Sequence, residues 1–265
     1  MTGIVIAIIA SVFYLSAAFR QWQTVTGKQP PNRGFVLLAT MLGTLAHLAF
    51  FGTNMLSGPY INFAFLQVGS LIAWVVVLLL LFASWRKPID NLLIGTLPMA
   101  SAVILLAASS NQYIPLKSLS YGLTWHILMA ILAYSIFIIA SVQAVLVALQ
   151  NHFLKRHQTR GLLQALPPLQ TMDALLFQMI WLGMVLLTTA FMVGFPFVSD
   201  LLEQKLLHKV VFACIGWLVF AGLLIGRYRS GWRGVTASRW TLTGMAFLVL
   251  SYFGSRMVLQ LMGAE

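Results

Sequence analysis

Apolar runs of about 20 residues, the length that carries an α-helix across a bilayer, recur along the whole chain. They lie near residues 3 to 19, 35 to 54, 62 to 84, 91 to 108, 122 to 149, 174 to 196, 208 to 226 and 240 to 262. Hydrocarbon offers no partner to a bare peptide group, so a span of this length satisfies its backbone as a helix. Turn-forming stretches separate the runs, among them Gly27 to Gly34, Ser57-Gly58-Pro59, Arg86-Lys87-Pro88 and Pro167-Pro168.

Composition closes the soluble alternative. With 60% hydrophobic and 8% charged residues among 265, the chain has too little polar surface to cover a globule in water. The expected fold is all-α: one polytopic membrane domain over residues 1–265, with about eight transmembrane helices. The net charge of +11 then reports topology and headgroup contact, and no nucleic-acid partner is expected. Of the 16 Lys and Arg, all but Lys117, Lys205, Lys209 and Arg256 fall in loops that follow odd-numbered spans. The positive-inside rule makes those loops cytoplasmic and puts both termini outside. Arg20 follows the first run instead of preceding it, the reverse of a cleavable leader, so that run is expected to stay as a span. The single cysteine, Cys214, excludes an intrachain disulfide and a thiolate cluster.

Polar side chains inside hydrocarbon are costly and invite a functional reading. His47, His126 and His208 fall in spans, whereas His152 and His157 fall in a basic loop. At 1.5 Å per residue His47 lies about 18 Å into a core about 30 Å thick, in its outer half. His126 and His208 open spans that begin on the outer side, within about one turn of it. All three imidazoles are thus expected in one layer. Thr40, Gly43, Thr44 and Asn54 share the face of His47, and Ala130, Ala133 and Tyr134 share that of His126. Arg256, with Tyr252 and Gln260 one turn either side, and Asn62 with Gln67, belong to the same outer region.

Several imidazoles, an arginine and apolar walls suit haem, whose iron takes imidazole axially and whose propionates want cations. His47, His126, His208 and Arg256 are the candidate cofactor-binding residues, with His47 and His126 as the iron ligands. Zinc fits less well, since no thiolate or carboxylate completes a tetrahedral set. A proton relay would want intramembrane acids, and the candidates Asp200 and Glu203 fall in an outer loop. Against this stands a plainer reading: membrane histidines hydrogen-bond across helices, arginines snorkel, and Trp22, Trp85, Trp125, Trp232 and Trp240 form interfacial belts. Nucleotide loops, HExxH and GxSxG are absent from the sequence, so no enzyme activity is expected.

Trp125-His126-Ile127-Leu128 through Gln150, Leu166-Pro167-Pro168-Leu169, His208-Lys209-Val210-Val211 through Trp217, Arg227-Tyr228-Arg229-Ser230-Gly231-Trp232-Arg233-Gly234 and Ser251-Tyr252-Phe253-Gly254-Ser255-Arg256 stand in a familiar order. Together they resemble the cytochrome c assembly membrane-protein family, in its HemX-like, YpjD-type inner-membrane branch. The resemblance implies a bacterial inner (plasma) membrane protein of eight spans that binds or handles haem, at His47, His126 and His208, in support of cytochrome c or haem-protein assembly. Its implied partners are the lipid bilayer, haem, and apocytochrome or other assembly proteins. Relatives that present haem to apocytochrome carry a Trp-rich outer segment ending in Trp-Asp. This chain has Leu206-Leu207-His208 there, and Ile225-Gly226 where a further histidine is expected. A cofactor-free scaffold, or a small-solute transporter using the same polar layer, are the competing readings.

Overall fold

A computed structural model describes residues 2–56, 60–85, 89–116, 120–156, 166–197 and 207–254. These residues form eight α-helices: α1 (Thr2–Val25), α2 (Arg33–Asn54), α3 (Phe65–Ser84), α4 (Leu93–Ser109), α5 (Tyr121–Lys155), α6 (Leu169–Gly194), α7 (Leu207–Ser230) and α8 (Val235–Val249). Seven are long and apolar enough to cross a membrane. The last, α8, has 15 described residues and runs on into a π-helical turn, Leu250–Gly254. The chain is a polytopic all-α membrane protein, with one addition that its apolar pattern hides. Ile61–Asn62 and Pro115–Leu116 form a two-residue antiparallel ladder.

The helices overrun the apolar runs where caps and polar side chains hold an extra turn. Asn32 Oδ1 accepts the amide of Phe35 and starts α2, and Ser120 Oγ accepts that of Leu123 and starts α5. Large apolar side chains such as Val12, Phe19, Phe82 and Trp181 stay exposed on the helix flanks, where lipid replaces water.

Within the chain, two compact units form, Met1–Ser118 with Gln158–Pro167 and Leu119–His157 with Pro168–Glu265. In the first, α1 packs on α2 and α4, and α3 on α4. Small residues set the spacing, as expected where lipid cannot drive helices together hydrophobically. A Cβ on Gly43 would stand 2.6 Å from the Tyr14 ring, so only glycine lets α1 approach α2 there. Ala7, Ala10, Phe50, Phe51, Met55, Ile104 and Ala107 form the core. At one end Asn62 ties the ladder down, with Nδ2 donating to Gln112 O and Oδ1 accepting the amides of Ala64 and Ile114. At the other end Arg33 pairs with Asp90 at 2.8 Å and donates to the carbonyl of Ser84.

In the second unit α5 and α6 run antiparallel, since His126 near the start of α5 meets Ala190 near the end of α6. Phe137 lies on Gly183 of α6 and stacks on Phe220 of α7, with centroids 4.1 Å apart. Phe220 in turn lies against Gly244 of α8. Buried side chains donate across to backbone carbonyls: Gln143 to Met172 and Ser238 to Ala144. Trp232 and Trp240 pack 4.9 Å apart against the Gly226 and Gly222 face of α7.

Asp173, expected at the end of a cytoplasmic loop, sits in the second turn of α6 with 8% of its side chain exposed. Its Oδ2 pairs with Arg227 at 3.0 Å and its Oδ1 accepts the amide of Gly234 at 2.9 Å. Gly234 has φ of +58°, a conformation that favours glycine, and opens α8. One carboxylate therefore joins α6, the end of α7 and the start of α8. Removing one partner of a buried pair typically costs 3–5 kcal/mol. Arg227 keeps partial exposure, so Asp173→Ala should lose about 2–3 kcal/mol. Asp173→Asn, which keeps an acceptor for Gly234, should lose less. Thermal unfolding of the detergent-purified variants checks the order, and equal melting temperatures for wild type and Asp173→Ala would contradict it.

Candidate functional site

His47 lies in the middle of α2 with no exposed surface. Its Nδ1 is 3.3 Å from the hydroxyl of Tyr14 on α1, and its Nε2 is 2.8 Å from Ser70 Oγ on α3. Tyr14, Phe50 and Phe51 rings surround it at centroid distances of 5.9, 6.3 and 5.2 Å. The stripe read as pocket-facing, Thr40, Gly43 and Thr44, does face the interior, but Tyr14 fills the space beside it. Thr40 and Thr44 bond back to the carbonyls of Val36 and Thr40, and Trp74 donates to Thr44 O. Both ring nitrogens of His47 are engaged, so this imidazole joins three helices. Gln67 and Asn62, also read as polar candidates, are tied to backbone, Gln67 Nε2 donating to Ala107 O.

The second unit presents its histidines differently. His126 Nδ1 lies 2.8 Å from Ala190 O. A carbonyl only accepts, so Nδ1 carries the proton and Nε2 the lone pair, with no hydrogen-bond partner among the described residues. Gly194, one turn beyond Ala190, lies so close to this ring that a Cβ there would collide with it. His208, in the first turn of α7, has its Nε2 buried and unpartnered, the one such side-chain nitrogen among the described residues.

Helix rise brings these two imidazoles to one level. Counted from the stacked Phe137 and Phe220, His126 lies about 17 Å up α5 and His208 about 18 Å up α7. The two helices run the same way, because the far end of α7 meets Asp173 at the start of α6. The end of α8 reaches the same level, where Ser251 Oγ donates to Lys209 O at 2.7 Å. About 12 Å further down α5, Tyr134 donates to Leu248 O at 2.9 Å and its ring lies 6.3 Å from that of Tyr252. The end of α8 at this point is the π-helical turn Leu250–Gly254, a distortion that often accompanies functional sites.

Of the four predicted cofactor residues, His126 and His208 thus share one end of the second unit, while His47 belongs to the first. Arg256, Gln260, Asp200, Glu203 and His157 lie outside the described residues. Among the described residues no group of three or more His, Cys, Asp or Glu could hold a metal ion. Two imidazoles suit an iron that already has four ligands from a macrocycle, and fall short of a structural zinc site. What the sequence does not show of Ser251 is its bond to Lys209 O, which ties α8 to α7 beside His208.

Residues 34–262 match the family described as cytochrome C assembly protein. The inner membrane protein YpjD of Escherichia coli (strain K12) is 30% identical over 203 residues, 76% of each chain. Protein HemX of Brevibacillus brevis is 25% identical over 189 residues, 69% of each chain. No solved structure matches the chain.

The His47 geometry predicts a stability phenotype. Tyr14→Phe removes one hydrogen bond and should cost about 1 kcal/mol. His47→Ala opens a cavity and strands Ser70 and Tyr14 together, at about 2–4 kcal/mol. Melting curves of the purified variants read this order directly, and a His47→Ala protein as stable as wild type would refute it.

Proposed function

The chain belongs to the cytochrome c assembly protein family, and from that premise we propose that it binds or passes haem as a multi-pass inner-membrane protein and so supports assembly of cytochrome c or another haem protein. The observation that carries this reading is the pair His126 and His208, level with each other and each with an Nε2 lacking a hydrogen-bond partner among the described residues. In hydrocarbon a polar atom left without a partner is costly, and such atoms are kept where a ligand supplies the partner.

Each residue has a stated task. The carbonyl of Ala190 fixes the tautomer and orientation of His126. His208 Nε2 would be the second nitrogen to hold the group. Lys209 and, outside the described residues, Arg256 supply positive charge for propionates. Gly194 leaves room for the His126 ring, and a flat macrocycle would lie against the apolar faces of α5 to α8. When bound, haem would supply a redox-active iron. The chain itself would do no covalent chemistry, so it is proposed as a carrier and not an enzyme. With both termini periplasmic, the site lies in the outer leaflet, where apocytochrome or another assembly protein could receive the group. His47 in this reading is a packing residue of the first unit.

A cofactor-free scaffold is the second reading, favoured by the saturated hydrogen bonding of His47. Absorbance of the detergent-purified protein, with and without reductant, separates the two. Haem handling predicts a Soret band in wild type, with haem content roughly tenfold lower or less in His126→Ala and His208→Ala. His47→Ala should keep haem in whatever fraction stays folded. Unchanged haem in both His126→Ala and His208→Ala would sink this site, and no band after haem is added would favour the scaffold.

A further inference from the structure

The end of the second unit away from His126 and His208 carries five exposed cations. Lys155 and Arg156 end α5, Arg229 ends α7, Arg233 stands in the turn before α8 and Arg239 lies in the first turns of α8. None of their side chains has a hydrogen-bond or ion-pair partner among the described residues. The carboxylate at this end, Asp173, is taken up by Arg227 and by the Gly234 amide. Asn151 lies against Gly234, where a Cβ would meet its Nδ2 at 2.8 Å. The last turn of α5, with Lys155 and Arg156, therefore emerges beside the turn that carries Arg233. The first turns of α6 and α8 also end here, and their dipoles add positive potential.

The surface just inside these cations is apolar and open. Leu149, Leu154, Ile225 and Leu242 are 41, 42, 56 and 40% exposed, and Tyr228 is 93% exposed. A free phosphate would satisfy the arginines and leave these side chains bare, whereas an amphiphile with an anionic head satisfies both. Guanidinium forks suit phosphate oxygens better than ammonium groups do. We propose that this end of the second unit is a binding site for an anionic phospholipid, its phosphodiester held by Arg229, Arg233 and Arg239 and its acyl chains laid along α5, α7 and α8. The Asp173–Arg227 pair sets the site by fixing the turn without adding to the free charge.

The test is a thermal-shift titration of the detergent-purified full chain with dioleoyl phosphatidylglycerol, dioleoyl phosphatidylcholine or inorganic phosphate. The proposal expects a saturable rise in melting temperature with phosphatidylglycerol alone. At about 1 kcal/mol per cation near an anionic surface, each one removed weakens binding roughly fivefold. The triple variant R229Q/R233Q/R239Q should therefore need about a hundredfold more phosphatidylglycerol while melting as wild type does in phosphatidylcholine. If that variant does not fold, wild type in about 1 M salt, where the screening length falls to about 3 Å, should lose the shift. Equal shifts with the two lipids, an equal shift with phosphate, a folded triple variant that responds as wild type does, or a shift that survives high salt would each overturn the site.

Discussion

Hydrocarbon supplies no hydrogen bonds, so each polar group this chain carries below the headgroups has to be met from within the protein. The constraint selects helices, and it also decides what the buried polar side chains do. Gln67, Gln143 and Ser238 donate to carbonyls of neighbouring helices. Tyr14, His47 and Ser70 close on one another across α1, α2 and α3. Asp173 takes both a guanidinium and a backbone amide. Each such bond fixes a register that apolar packing alone would leave loose, because lipid-facing and helix-facing leucines differ little in energy.

Against that background the lone pairs that are not met stand out. In the second unit they include those of His126 and His208, on parallel helices at nearly one height, beside a π-helical end of α8 tied to α7 by Ser251. His47 is the contrast: the same residue type, also inside a span, but satisfied at both nitrogens and closed by three aromatic rings. The difference between these imidazoles lies in the second nitrogen, not in the polarity of the helix face.

That difference explains what was legible in the sequence. The spans could be read because a run of 20 apolar residues has few other fates, and seven of the helices are long enough to cross. Family membership could be read from the order of segments such as Trp125-His126 and Arg227 to Gly234, and the match over residues 34–262 agrees with it. The partners of each histidine could not be read, because they sit 23 to 64 residues away on other helices: Tyr14 and Ser70 for His47, Ala190 for His126. Asp173 escaped for a similar reason. Its neighbours Pro167 and Pro168 look like loop, and only the Arg227 and Gly234 it meets in space show that it joins three elements. The two-residue ladder at Ile61 and Pro115 carries no periodic signal at all.

The most direct test of the account is the axial ligation of haem added to the purified protein, read by electron paramagnetic resonance and near-infrared magnetic circular dichroism of the oxidised complex. A pair of imidazoles at one level predicts low-spin signals of the bis-histidine kind, replaced by a high-spin or single-histidine spectrum in either His126→Ala or His208→Ala. A wild-type spectrum without bis-histidine character, or one that neither substitution changes, would contradict the placement of haem between α5 and α7.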